Sequence, residues 1–344
     1  MRLLAHDFDL PLRHKFTISR ESTSVQATLI VELNDGTHRG FGEATVNAYY
    51  GATRERMRAS LDRVRDLAAA ADASGAPPFD PPAFWQAAKE RMGDDSFALC
   101  ALDEAAYDLW GKRLGKPVYA LWGLDRSNAP RSNFTIGIDA IDVMVQKLDE
   151  MPGWPIYKIK LGTPHDLEIV RALRQRTDAV FRVDANCAWS VEETIANSAV
   201  LKELGVEFIE QPLPADRWDD MRRVFEQSAL PVIADESCIA EADVARCQGY
   251  FHGVNVKLVK CGGLTPARRM IAEARRLGLK TMVGCMTESS VGISAIAQIL
   301  PMLDYVDMDG AALLAQDVAR GVEVRCGTCL YPDRPGSGVE LLDR

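Results

Sequence analysis

Charged residues recur through the middle of this chain with the period of a strand–loop–helix–loop unit, and few folds tolerate that period. The Lys158/Lys160 pair, Asp184, Glu210, Asp235 and Lys257 follow one another at intervals of roughly 22–26 residues, about what a parallel strand and its crossover helix require. Each site ends a short run rich in β-branched residues, at 156–160, 180–184, 206–210, 232–235 and 254–257, and a helix-like stretch follows each. This phase puts every charge at the C-terminal end of a parallel strand, the face on which barrels and open α/β sheets assemble their chemistry. Three carboxylates flanked by lysines are therefore expected to meet in space while lying far apart in sequence.

Extending the rhythm in both directions gives eight candidate strands, with 133–138 before this set and 281–285 and 305–309 after it. Eight β/α units over residues 126–320 predict an α/β fold of the (β/α)8-barrel type, with a short last helix. Residues 1–125 are built differently. Strands are expected at 2–10 and 25–34, and Asn34-Asp35-Gly36 is a hairpin turn before a third strand at 37–43. Helical stretches follow at 53–71, 82–92 and 97–114, with a loop at 74–82 rich in Ala, Gly and Pro. Strands followed by helices make an α+β domain. The tail, 321–344, loses the barrel rhythm, and its Pro335-Gly-Ser-Gly-Val339 turn points back to the N-terminal domain.

Bulk properties exclude some functions. A net charge of −9 over 344 residues argues against a nucleic-acid partner, which demands clustered cations. The opening MRLLAHDFDLPLRH has no signal-like apolar run, and no segment approaches ~18 consecutive apolar residues. A cytoplasmic enzyme without a membrane partner is expected, and a homo-oligomer is compatible with this reading. The eight cysteines are expected to be free thiols. Cys326-Gly-Thr-Cys329 lacks a second Cys/His pair at zinc spacing, so it reads as two small buried residues in a late strand.

Asp184, Glu210 and Asp235 offer three hard oxygen ligands from adjacent strands, a donor set that suits one Mg²⁺. A single Asp at a strand end is usually a cap or an ion-pair partner; three in phase make a metal site. Asn186 and Glu236 would orient these ligands. Lys158 and Lys160 are two apart and share one face, where crowding of two ammonium groups should lower their pKa and free an amine to act as base. Lys257 stands across the barrel from them. Lys260 is expected past its strand and solvated. Opposed lysines around a divalent ion suit removal of the proton next to a carboxylate: the metal stabilises the enediolate, one base takes the proton, and the other returns it to the opposite face. The result is inversion at the α-carbon.

The Lys158-x-Lys160 pair, the Asp184/Glu210/Asp235 triad and Lys257 before Lys260-Cys-Gly-Gly263 resemble the enolase superfamily, muconate-lactonizing-enzyme subgroup. The likeness spans nearly the whole chain, and it implies that the N-terminal part and the C-terminal tail together cap the barrel. These motifs identify the superfamily without selecting a reaction. Asp307-Met-Asp309 on the eighth strand does more, because paired carboxylates at a barrel mouth suit an α-ammonium group. The arrangement is similar to that of dipeptide epimerases, as is Gly284-Cys-Met-Thr-Glu-Ser289. That resemblance implies that Asp307 and Asp309 hold the dipeptide amino terminus, that Cys285 and Thr287 line its backbone, and that Thr135 touches it. Arg20, in the loop 17–24, would pair with a glutamate side chain as in Ala-Glu epimerases, which makes Ala-Glu the favoured substrate class. The loop around Tyr49-Tyr50-Gly51 would be a second lid. The rivals are o-succinylbenzoate synthase, N-acylamino acid racemase and muconate cycloisomerase, whose substrates carry no free ammonium.

Overall fold

The computed structural model describes residues 1–71 and 78–342. Its N-terminal sheet is antiparallel and meandering, with β1 (Arg2–Thr17), β2 (Ser22–Asn34) and β3 (Arg39–Thr45) in that order. The turn between β2 and β3 is fixed by its own side chains: Asn34 Oδ1 accepts Gly36 N, and Asp35 Oδ1 accepts Thr37 N and His38 N. Such side-chain mimicry of a turn is why Asn-Asp-Gly is legible in sequence. β1 runs well beyond the expected end at residue 10. A register shift between Pro11 and Phe16 absorbs the proline, and the hairpin continues to the mouth of the barrel.

The expected helix at 53–71 breaks into Arg54–Asp62 and Arg65–Ala70, with Val64 between them outside helical geometry. Helix Pro81–Met92 starts with proline in its first turn, where a missing N–H costs nothing. Part of the expected loop at 74–82 lies outside the described residues. Helix Ser96–Arg113 is buried almost all round, because it lies between β3 and the barrel. β3 reaches it through glycine: a Cβ on Gly42 would stand 2.1 Å from Ala101 O and 2.6 Å from Glu104 Cβ.

Eight parallel strands form the second sheet, paired in chain order: β4 (Phe134–Ile136), β5 (Ile156–Lys160), β6 (Val180–Asp184), β7 (Val206–Glu210), β8 (Val232–Ala234), β9 (Gly253–Val256), β10 (Lys280–Gly284) and β11 (Tyr305–Asp307). A bridge between Ser132 and Val306 joins the ends of the ring, and Ser132 Oγ accepts Met308 N. α-Helices follow β4 to β10, but after β11 the chain makes only the 3₁₀ turn Gly310–Leu313. The sequence predicts a short eighth helix there. Instead the following residues pair with β1, through a Leu12–Leu314 bridge and Ala315 N to Pro11 O.

The capping layer docks on loops at the strand C-termini. Glu43 on β3 is fully buried, and its carboxylate accepts Ser289 N, Ser289 Oγ and Gly292 N at the start of helix Ser290–Ala297. A helix N-terminus favours an acceptor oxygen of this kind, and here the acceptor belongs to the other layer. Asp103 accepts Thr265 N and Oγ1 after β9, and Trp85 Nε1 donates to Gly262 O. The tail returns as well: Gly336 exchanges backbone bonds with Lys116 and Val118, and Ser337 N donates to Asp108. All eight cysteines are free. Cys326 is exposed at positive φ in the turn of the hairpin Glu323–Arg325/Thr328–Leu330, and Cys329 is partly buried. The expectation of a buried pair misread a turn as strand.

Because the β3–helix contact leaves no room for a methyl group, Gly42→Ala is expected to cost about 1–3 kcal/mol through overpacking. A lowered urea midpoint with unchanged slope is the expected result; an unchanged midpoint would show that sheet and helix part easily.

Candidate active site

The barrel phase brings the charges together as strand alternation requires. Asp184 and Glu210 end β6 and β7, while Asp235 follows β8 by one residue, and oxygens of all three carboxylates lie within 4.8 Å of one another. All three are buried. Burying three carboxylates side by side is costly unless cations stand among them, and four lysines do. Lys158 Nζ lies 3.2 Å from Asp184, 2.8 Å from Glu210 and 2.8 Å from Asp307. Lys160 Nζ donates to Asp184 Oδ2 at 2.7 Å, and Lys257 Nζ to Asp235 Oδ2 at 2.8 Å. Lys260 Nζ bonds Asp235 Oδ1 at 2.6 Å, the Asp235 carbonyl, and Cys238 O at 2.9 Å.

These contacts set the protonation states. Burial opposes the charged form of Asp184, but Lys160 and Lys158 hold its carboxyl below the usual range. Burial likewise opposes the charge on Asp235, and Lys257 and Lys260 overcome it. Burial and then Asp184 push Glu210 up to about 7. The expectation that crowding lowers the pKa of Lys158 is overturned. Burial does work in that direction, but Asp307, Glu210 and Asp184 surround the ammonium and raise it well above normal.

Lys260 is the second correction. It is 2% exposed rather than solvated. Helix Leu258–Cys261 is a single turn closed by Gly262 and Gly263 at positive φ, and this turn swings Lys260 back under Asp235. Sequence reasoning also missed Asn255, whose Nδ2 donates to Glu210 Oε1 at 2.8 Å, and Asn133, which donates to Asp307 Oδ1 at 2.8 Å. A signal for Asn255 was present, since it lies two residues before Lys257 on a strand. Gln211 was missed too: its Oε1 accepts Asp235 N and Ser237 N. Gln211, directly after Glu210, and Asn186 and Cys187, shortly after Asp184, adopt positive φ, a strain that buried hydrogen bonds must hold in place.

The carboxylate triad fits a small divalent cation on its own evidence. Its donors are all hard oxygens, and Glu210 Oε2 is buried without a hydrogen-bond partner, because Lys158, though close, is not aligned with it. Asn186 Oδ1 and Glu236 Oε2 are likewise unpartnered. Asn186 N donates to Asp184 Oδ1 at 2.9 Å.

Above the triad opens a pocket whose walls include Lys160, Lys257, Thr135, Cys285, Thr287, Asp307, Asp309 and Arg20, together with Tyr49, Tyr50, Asn186 and Glu236. Lys160 and Lys257 enter it from β5 and from the end of β9, across the ring. The Asp307/Asp309 pair is more structured than two free carboxylates. Asp307 Oδ2 holds Lys158 at 2.8 Å, while Asp309 accepts Thr135 N at 2.5 Å and Thr135 Oγ1 at 3.1 Å. Asp307 is held below the usual range by Lys158 against the effect of burial; Asp309 is raised well above it by burial and by Asp307. The pair therefore shares a proton more readily than it carries two charges. Arg20 does not face the pocket unpartnered: Glu236 Oε1 lies 2.7 Å from its Nη1.

Replacing Lys260 with Met leaves Asp235 Oδ1 and two buried carbonyls without their donor. A loss of about 3–5 kcal/mol is expected, read as a lower melting temperature in chelator-treated protein, where metal binding cannot mask it. A melt matching the parent's would mean that Lys257 alone neutralises Asp235.

Residues 5–123 match the mandelate racemase/muconate lactonizing enzyme N-terminal domain, and residues 143–344 the enolase C-terminal domain-like family. An L-Ala-D/L-amino acid epimerase from Flavobacterium johnsoniae is 56% identical over 342 residues, covering 99% of this chain and 100% of that protein. Among solved structures, the dipeptide epimerase from Methylococcus capsulatus, complexed with Mg and the dipeptide L-Arg-D-Lys, is 32% identical with a TM-score of 0.87 over 98% of both chains. The L-Ala-D/L-Glu epimerase from Bacillus subtilis shares the fold at a TM-score of 0.91, with 24% identity over 98% of both chains. The chain belongs to the mandelate racemase/muconate lactonizing enzyme family of the enolase superfamily.

Proposed function

We propose that this protein is a Mg²⁺-dependent dipeptide epimerase that inverts the α-carbon of the C-terminal residue, with Ala-Glu as the substrate class to try first. The observation that carries the reading is the placement of two lysines, Lys160 and Lys257, on opposite sides of one pocket that also holds Asp307 and Asp309. Two bases that share a cavity can remove a proton from one face of a carbon and return it to the other. The relatives with Mg, dipeptides and epimerase activity in their names support the same reading.

In this scheme Asp184, Glu210 and Asp235 would hold Mg²⁺, which supplies positive charge for the substrate carboxylate as it becomes an enediolate. Lys158 keeps its proton and holds Asp184, Glu210 and Asp307 in place. Lys160 takes the α-proton of one enantiomer while Lys257 donates to the opposite face, and the roles exchange for the other enantiomer. Asp307 and Asp309 receive the substrate ammonium, Thr135 fixes Asp309, and Cys285 and Thr287 border the peptide. Asn186 and Glu236 stand beside the ligands and orient them. No proton is consumed, so one lysine starts neutral and the other charged. The cycloisomerase and N-acyl readings are disfavoured, because their substrates would bring no cation to Asp307 and Asp309. The working division of the chain is a capping domain at 1–125, a barrel at 126–320 and a returning tail at 321–344, in a cytoplasmic enzyme. Among the described residues, no helix is long and apolar enough to cross a membrane.

In deuterated water, L-Ala-L-Glu should gain one mass unit as it epimerises; chelator should stop this and Mg²⁺ restore it. Lys160→Ala and Lys257→Ala should each abolish epimerisation while leaving exchange of one enantiomer's α-proton. Full turnover by either variant would rule out the two-base scheme. Asp309→Asn should lower kcat/KM for free dipeptides by at least about tenfold relative to N-acetylated analogues, the usual scale for a buried charged contact. Equal losses on both substrates would move the ammonium site elsewhere.

A further inference from the structure

The strands of the ring are not joined equally. Neighbours from β4 to β11 pair as ladders in chain order, but among the described residues β11 meets the β4 side through the isolated bridge Ser132–Val306. Asp307 ends β11 on one side of this seam and Asp309 follows it, while Thr135 stands on β4 on the other. The walls of the ammonium site thus belong to two segments that have little ladder between them.

Arg182 crosses beneath the seam. It precedes Asp184 by two residues on β6, so it shares the inward face one layer lower, and it is buried. Its Nε donates to Glu207 Oε2 at 2.8 Å; its Nη1 donates to Val306 O at 2.9 Å and reaches Asn133 Oδ1 at 3.4 Å. One nitrogen therefore touches both sides of the seam. The rings of Phe208 and Tyr305 pack against the guanidinium, with centroids 5.3 and 5.2 Å away.

Asn133 is fully buried directly before β4, and its Nδ2 donates to Asp307 Oδ1 at 2.8 Å. A side-chain amide can turn over and exchange its donor for its acceptor. Here a guanidinium, which has no acceptor, stands on one side and a carboxylate oxygen on the other, so a single orientation satisfies both. Arg182 takes the amide oxygen and thereby aims the NH₂ group at Asp307. Lys158 holds the other oxygen of Asp307 at 2.8 Å. The hydroxyl of Thr135 is nearer to Asp309 Oδ1, at 3.1 Å, than to Asp307 Oδ1, at 3.4 Å. Asp307 is thus fixed at both oxygens, and each keeps a lone pair for an incoming N–H.

We propose that Asn133, oriented from below by Arg182, is a positioning residue for the substrate ammonium: the two lock Asp307 across the β4–β11 seam before substrate arrives. An acceptor that is already fixed loses no rotational freedom on binding. The gain therefore falls on substrate affinity, while Lys160 and Lys257 carry the proton transfer elsewhere in the pocket. This inference rests on the dipeptide reading and names the residues that shape its ammonium site.

The test measures kcat and KM for L-Ala-L-Glu, and Ki for propanoyl-L-Glu, the analogue without the ammonium. Asn133→Leu removes the donor while keeping the volume, and should raise KM by about tenfold or more, the scale of a lost hydrogen bond to a charged group. Its kcat, and its Ki for propanoyl-L-Glu, should stay within about threefold of the parent's, because neither involves the ammonium contact. Arg182→Met leaves the amide free to turn and should shift KM in the same direction with the same split. A KM near the parent's in Asn133→Leu, a loss confined to kcat, or an equal weakening of propanoyl-L-Glu would each overturn the proposal. Should Asn133→Leu fail to fold, Arg182→Met decides by the same three constants. Asp309→Asn, measured alongside, separates the two readings: if it raises KM and Asn133→Leu does not, only the positioning role falls, and if neither raises it, the ammonium site falls as well.

Discussion

Lys158 is the residue around which the barrel interior is arranged. It is 1% exposed and lies within 3.2 Å of three carboxylates from three strands. Removing acids from water costs several kcal/mol each unless their charge is matched nearby. The ammonium of Lys158 makes it tolerable for β6, β7 and β11 to end in acids that point the same way. Lys160 shares Asp184 Oδ2 with Lys158, while Lys257 and Lys260 extend the arrangement outward on the two oxygens of Asp235. The result is an interleaved lattice of charge with fixed positions, which is the preorganisation a site needs if it is to stabilise a developing anion.

The capping layer uses the same logic in another place. Glu43, Glu104 and Glu288 are all buried where that layer meets the barrel, and burial raises each of them. Glu104 Oε2 accepts Glu43 N, and Glu288 Oε1 accepts Met286 N. Here backbone N–H groups and protonation take the part that lysines play inside the barrel. The loop carrying Cys285, Met286 and Thr287 is thereby held from behind, so the pocket wall inherits its position from the interface.

Much of this was legible in sequence because it is periodic. Strand alternation and the β/α repeat fix which residues share a face, so Lys160, Asp184, Glu210, Asp235 and Lys257 could be placed together without coordinates. What could not be read was pairing across the ring. That Arg20 meets Glu236, that Lys260 turns back under Asp235, and that Lys158 is held protonated by surrounding carboxylates rather than driven neutral by Lys160 all depend on distances between segments far apart in the chain. Element ends were also lost where tertiary pairing overrode local pattern, as when β1 ran past Pro11 and took up the segment that would have coiled after β11. The asparagines 133 and 255 were overlooked for a different reason: amides carry no charge and stand out only once the acid they serve is known.

The docking of the tail bears on how such a chain comes off the ribosome. Helix Ser96–Arg113 receives Ser337 N at Asp108 and offers Lys112 to Val339 O, contacts that span 229 and 227 residues. The first layer to be synthesised is thus also the last to be completed, since its helix stays partly uncovered until the whole barrel has emerged. The three-stranded sheet can form early from local contacts, but the acid seats at Glu43 and Asp103 wait for loops made much later. Closing so long a loop is entropically slow. The barrel must therefore be assembled between two portions of its own lid, and a nascent chain halted before residue 336 would carry every lysine and carboxylate of the pocket beneath an unsealed roof.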